Sequence, residues 1–365
     1  MKFKEYLLKD IATITMGQSP KSQFYNEDGK GIEFLQGVRT FGEDFPYFDT
    51  YTTKYNRLAY KNSILFSVRA PVGRVNWATK NIAIGRGVAS ISVKNMVYDR
   101  YVYYYFKKMG SFYDKKATGT VFTSINKKEL ESLKIKVPAS YNDQKRIADR
   151  LATLDRKIHL NQQLNDNLDT LLTTIFEKQV NNYNYTKASL TDIATYKNGL
   201  AMQKHRPKNN EQSLPVLKIK ELNQGFTDSS SDRCSIDIDK DVIVETGDIV
   251  FSWSGTLIVK NWSGKKVGLN QHLFKVTSSH YPKWLIYEWT KHHLRKFQSI
   301  AAGKATTMGH IKRSDLKSST VFIPSKNILD ELNTVMKPLY NKRIEIINEN
   351  QRLGELKQVL LQKYF

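Results

Sequence analysis

The sequence predicts an α+β chain: two homologous mixed α/β domains related by an internal pseudo-two-fold repeat and joined by two long helices. Three observations carry that prediction. The chain repeats itself in order at an offset of about 180 residues, its charge divides evenly between the copies, and each copy runs out into a segment of helical periodicity.

The repeat is legible residue by residue. Leu8-Lys9-Asp10-Ile11-Ala12-Thr13 returns as Leu190-Thr191-Asp192-Ile193-Ala194-Thr195, and Gly17 returns as Gly199, at an offset of 182. Ile64-Leu65-Phe66-Ser67 returns as Ile249-Val250-Phe251-Ser252 at 185. Tyr103, Tyr105, Lys107 and Gly119 return as Tyr287, Trp289, Lys291 and Gly303 at 184, and Ile125, Leu130 and Pro138 as Ile311, Leu316 and Pro324 at 186. Preserved order with a drift of only a few residues indicates a duplicated domain with small loop insertions. A period this long is a complete domain rather than a solenoid unit, and 365 residues suffice for two such cores.

Charge points to a polyanionic partner. Of a net +22, residues 1–182 carry 29 basic and 18 acidic side chains and residues 183–365 carry 28 and 17, so each half is +11. A basic tail would have concentrated the charge at one end; here both copies carry it, as nucleic-acid binding by both requires. An anionic membrane surface is the alternative, but no polybasic amphipathic helix and no apolar run near 20 residues is present. The amino-terminal residues lack a signal-peptide core, and the single cysteine, Cys234, excludes an internal disulfide and a cysteine zinc site, so a reducing cytoplasm is expected.

Each domain is followed by a rod. From Asn142 to Phe176 there is no Pro or Gly, and a heptad seam runs Ile147, Leu151, Leu154, Ile158, Asn161, Asn165, Leu168, Leu172, Ile175. Ser140 with Asp143 forms a candidate capping box, with Asn142 as the other candidate cap. The rod is about 50 Å long at about 1.5 Å per residue. A second rod, from Asn327 to Phe365, places Leu332, Met336, Leu339, Ile346, Asn350, Leu353, Leu356 and Leu360 at apolar or seam positions. Pro338 is expected to kink it and Gly354 to weaken it. The two rods most simply bury their seams against each other. Asn161 and Asn165 either specify register as buried amides or lie on a solvated face.

Catalytic signatures are absent. None of the nine prolines neighbours another, which excludes the Asn-Pro-Pro or Asp-Pro-Pro of an amino-methyltransferase, and there is no Pro-Asp nuclease opening or Gly-x-Ser-x-Gly elbow. Gly85-Arg86-Gly87 lacks a dinucleotide loop's third glycine and runs into a strand. The seven histidines lack zinc spacing, and His292-His293 straddle two faces of an aromatic helix.

Candidate nucleic-acid contacts are diffuse but doubled. Each copy has a loop after its first strand, with Gly17 and Lys21 in one and Gly199, Lys204, His205 and Arg206 in the other. A second loop carries Thr118, Thr120 and Thr123, or Lys304, Thr306 and Thr307. Glycine permits approach to a phosphate, and Thr and Lys supply donors; a solvated turn is the alternative for any one loop. Arg69, Arg74 and Arg86 neighbour the central strands of the first copy, where the second has Ser254, Lys260, Asn270, Gln271 and His272. Arginine suits guanine, and Asn or Gln suits adenine, in the major groove. The aromatic stretches Tyr101 to Phe106 and Trp284 to Trp289 are expected to pack as helices rather than stack on bases.

The succession of domain, long helix, domain, long helix, with Leu-x-Asp-Ile-Ala opening each domain and Lys136-Val137-Pro138 or Phe322-Ile323-Pro324 leading into each helix, resembles the specificity subunit of type I restriction-modification systems. The resemblance spans essentially the whole chain. It implies target recognition domains at 1–141 and 181–326, and spacer helices at 142–180 and 327–365 forming an antiparallel coiled coil. It also implies a bipartite double-stranded DNA site, one half read by each domain, with the coil fixing the gap. Such a subunit is not catalytic and binds no cofactor or metal. Its partners are two methyltransferase subunits, which use S-adenosylmethionine to methylate adenine at N6, and restriction subunits that use ATP and Mg, in the cytoplasm of a bacterium or archaeon. Two other readings are a coiled-coil scaffold with nonspecific nucleic-acid binding and a divergent self-contained methyltransferase or nuclease.

Overall fold

A computed structural model describes residues 1–117, 124–180, 185–208, 211–303 and 309–365. These form two compact units, residues 1–156 with 356–365, and residues 157–355. Each unit holds one copy of the repeated domain and a stretch of both long helices.

In the first unit, Phe3–Leu7 pairs antiparallel with Lys134–Pro138. The repeated Leu8-Lys9-Asp10-Ile11 then makes a single helical turn that buries Leu8 and Ile11 and leaves Lys9 and Asp10 outside, which explains why the two apolar residues recur. An antiparallel sheet follows in the order Ala12–Met16, Val88–Val93, Ile64–Ser67, Val75–Trp77. The helix Asp99–Ala117 belongs to the same core, with Tyr101, Tyr103, Tyr104 and Phe106 buried, so these aromatics serve packing and not base stacking. A second sheet is built around the parallel pair Ile32–Leu35 and Ile82–Ile84.

The second unit repeats each step. Thr186–Ser189 pairs with Thr320–Ile323, Leu190–Ile193 is the helical turn, and the sheet order is Thr195–Asn198, Leu273–Thr277, Ile249–Ser252, Val259–Asn261. The parallel pair is Ser213–Leu217 with Val267–Leu269. The helix Lys283–His292 buries Trp284, Tyr287 and Trp289.

Gly17 and Gly199 are required by backbone packing within each domain. A Cβ on Gly17 would lie 2.1 Å from the Gly85 carbonyl oxygen, and one on Gly199 would lie 2.2 Å from that of Leu269. A side chain at either position is thus excluded by the domain's own backbone.

The long helices are Tyr141–Val180 and Lys326–Tyr364, each starting one residue before its expected position. Ser140 caps the first: its carbonyl and Oγ accept from Asp143 N–H at 3.1 and 3.4 Å. Asp143 turns to Arg146 at 2.7 Å instead of reaching back to close a capping box. Along this helix Ile147, Leu151, Asn161, Leu168 and Leu172 are buried, and Leu154, Ile158, Asn165 and Ile175 are half-buried, so the seam is a seam.

On the second helix Met336 and Ile346 are buried and Leu332, Leu339, Asn350, Leu353 and Leu360 half-buried. Leu356 departs from expectation, being 47 % exposed. The seam there passes instead through Tyr340, Arg343, Lys357 and Leu361, two of them cations that the apolar pattern hides. Pro338 does not end the helix, which runs through it; the missing N–H forfeits one bond within a 39-residue element held by its packed face.

Within the second unit Asn161 meets Asn350 and Asp169 meets Arg343; within the first, Asp155 meets Lys357. Partner numbers fall as residue numbers rise, so the helices run antiparallel. No helix among the described residues is long and apolar enough to cross a membrane.

Candidate nucleic-acid interface

Each domain carries a cleft where its two sheets meet, built by the same backbone frame. In the first domain Gly85 N–H donates to the Leu35 carbonyl at 2.8 Å, Val88 N–H to Gly85 at 3.0 Å, and Val68 N–H to Gly87 at 3.0 Å. In the second, Asn270 N–H donates to Leu217 at 3.0 Å, Leu273 N–H to Asn270 at 3.0 Å, and Trp253 N–H to His272 at 3.3 Å. These bonds equate Gln36 with Lys218, Arg69 with Ser254, Arg86 with Gln271 and Gly87 with His272. Loops at strand ends, held by a rigid frame, are where binding residues are ordinarily carried.

The first cleft, of about 130 Å³, is lined by Ser19, Gln36 to Val38, Arg69, Ala70, Arg86 and Gly87. Both arginines are exposed. The second cleft is larger, about 720 Å³, and its polar lining includes Arg206, Lys218, Asp232, Arg233, Asn270, Gln271 and His272. The hydrogen bond from Lys218 holds the Asp232 carboxyl below its usual range. Ser254 Oγ lies 3.0 Å from His272 Nδ1, and Gln271 Nε2 lies 3.2 Å from His272 Nε2. Asn270 is only 7 % exposed, and its Oδ1 accepts from His272 N–H at 3.4 Å, so it shapes the turn more than it faces outward.

Six of the expected contact residues thus line the clefts, Arg69, Arg86, Arg206, Asn270, Gln271 and His272, with Ser254 supporting His272. Lys21 is exposed just before the short 3₁₀ turn Ser22–Phe24, Lys204 is exposed as the last residue of the turn Met202–Lys204, and His205 is half-buried with its carbonyl accepting from Ser235 N–H. Arg74 is exposed on the turn before Val75–Trp77, outside the cleft lining. Lys260 is drawn inward: its Nζ donates to the Asn223 carbonyl at 2.9 Å, and burial pushes its pKa down. Thr118, Thr120, Thr123, Lys304, Thr306 and Thr307 lie outside the described residues.

Gln36, Lys218, Asp232 and Arg233 were not anticipated. A signal existed, because Leu35 and Leu217 keep the 182-residue offset of the opening motif, and Gln36 and Lys218 follow them.

The family model for the type I restriction modification DNA specificity domain matches residues 1–170 and again 182–358. A putative type I restriction enzyme MjaX specificity subunit of Methanocaldococcus jannaschii is 41% identical over 157 residues, covering 43% of this chain and 37% of that relative. The MjaIX specificity subunit of the same organism is 23% identical over 96% of this chain and 89% of its own length. The crystal structure of a type I restriction-modification S subunit from M. genitalium has the same fold, with a TM-score of 0.60 at 16% identity over 100% of this chain and 96% of that one.

Proposed function

The chain belongs to the family of type I restriction-modification specificity subunits, carrying the DNA specificity domain twice, and from that premise we propose that each domain reads one half of a bipartite DNA site through its cleft. The observation that carries the proposal is the doubled cleft: one backbone frame, two sets of side chains. The frame places a reader at the same point twice, and the differing residues let the two readers recognise different bases. The paired helices set the unread gap and dock two methyltransferase subunits, and restriction subunits complete the nuclease. S-adenosylmethionine, ATP and Mg belong to those partners, and this chain is not itself catalytic. The net charge of +22 supplies the phosphate attraction on which affinity rests.

Co-expression with a methyltransferase subunit in a methylation-free host, followed by mapping of modified adenines, tests the proposal. A split motif with a constant gap is expected. Methylation without sequence preference would point to a nonspecific scaffold.

A further inference from the structure

Resting on the proposed reading of split DNA sites, we propose that Arg86 and Gln271 are the equivalent base-reading residues of the two domains, Arg86 with Arg69 selecting guanine and Gln271 beside His272 selecting adenine. The backbone hydrogen bonds put both residues at the same point, one step beyond the bond from Gly85 to Leu35 in one domain and from Asn270 to Leu217 in the other.

In the first domain the turn is pressed against its neighbours. A Cβ on Gly85 would stand 2.8 Å from Ser19 Oγ, and one on Gly87 would stand 2.5 Å from the Gln36 carbonyl oxygen. Arg86 N–H is fixed to Ser19 Oγ at 3.2 Å. Arg86 is therefore the one side chain of this turn that can extend. Its guanidinium and that of Arg69 line one cleft, both exposed and without an acceptor among the described residues. An arginine fork with no internal partner matches the paired O6 and N7 acceptors of guanine in the major groove.

The second domain replaces every element of that chemistry. Gln271 stands for Arg86, His272 fills the position of Gly87, and Ser254 stands for Arg69. Ser254, only 3 % exposed, holds the His272 ring through Nδ1 at 3.0 Å, and the ring in turn abuts the Gln271 amide at 3.2 Å. The amide is thereby positioned with a donor and an acceptor, the pattern that adenine N6 and N7 require. Independent drift of surface residues would not produce a buried serine that orients the neighbour of the reader.

The test is adenine-methylation mapping with the full-length chain, as R86Q, R86K and Q271R, in complex with the methyltransferase subunit. R86Q is expected to lower discrimination for guanine at one position of one half-site by about tenfold or more and to leave the other half unchanged. R86K, which keeps the charge but not the fork, is expected to do the same. Q271R is expected to shift one adenine of the other half toward guanine. Uniformly weaker methylation of an unchanged motif would make position 86 a phosphate contact and overturn the assignment, as would a motif that R86K preserves. Failure of the wild-type complex to give a split motif overturns the underlying reading. A split wild-type motif indifferent to all three substitutions overturns this assignment alone.

Discussion

Asn161 Nδ2 donates to Asn350 Oδ1 at 2.8 Å, joining the seam of one long helix to the seam of the other, and also reaches Glu349 Oε2 at 2.8 Å. Asn161 is only 3 % exposed, and Asn350 Nδ2 reaches on to the Ile158 carbonyl at 3.3 Å. Asn161→Leu alone should cost about 1–3 kcal/mol, because it leaves the Asn350 Oδ1 without its donor. The double variant N161L/N350L should recover most of that loss. Thermal unfolding of the four members of the cycle checks the pair; a double variant as unstable as the sum of its parts would mean that the two amides act independently.

Arg343 is 7 % exposed, sits 3.0 Å from Asp169 across the helix pair, and donates from Nη2 to Tyr287 Oη at 3.2 Å. Removing the carboxylate leaves a buried cation, whereas removing the cation leaves a half-exposed carboxylate that Lys291 still pairs. Asp169→Ala is therefore expected to destabilise by roughly 3 kcal/mol, and Arg343→Met by less. Equal melting temperatures for the two variants would count against this ordering.

Two groups in the second unit should give opposing pH responses. Burial pushes Glu288 up to about 7, so its folded form stays protonated while the unfolded chain ionises. That contribution is present in full below about pH 4.5 and is lost as pH rises towards 7. Burial drives His293 down to about 4, its Nε2 lying 2.8 Å from the Thr320 carbonyl oxygen. Stability from His293 is present above about pH 6.5 and is lost as pH falls towards 4. Glu288→Gln should therefore raise the melting temperature at pH 7 relative to pH 5, and His293→Gln should raise it at pH 5 relative to pH 7. Melting curves at both pH values resolve the two; identical responses would remove the assignment.

Lys204 is exposed and has no ion-pair partner among the described residues. As a phosphate contact it should add about 0.9 to the log–log salt slope of DNA binding by the assembled complex. Lys204→Ala should reduce the slope by about that amount and leave sequence preference intact. An unchanged slope would place Lys204 off the DNA.

Much of the architecture was legible because it is written twice. Leu8 and Ile11 recur as Leu190 and Ile193 because both pairs are buried by the same helical turn, and the first helix's seam was readable because its polar members are uncharged amides. The second seam was harder to read, since Arg343 and Lys357 enter it as cations neutralised by Asp169 and Asp155 on the other helix. No pattern along one helix reveals such a partner. The same holds for the site. Arg86 and Gln271 stood out by their differing chemistry in comparable stretches, but only the folded chain shows that Lys260 turns inward and that Gln36 and Lys218 border the clefts.

The central claim is that two readers work independently. Its most direct test is exchange of residues 1–141 for the first domain of another family member, with modified adenines mapped in the presence of the methyltransferase subunit. One half of the motif should change while the other half and the gap persist. Replacement of both halves would contradict the account.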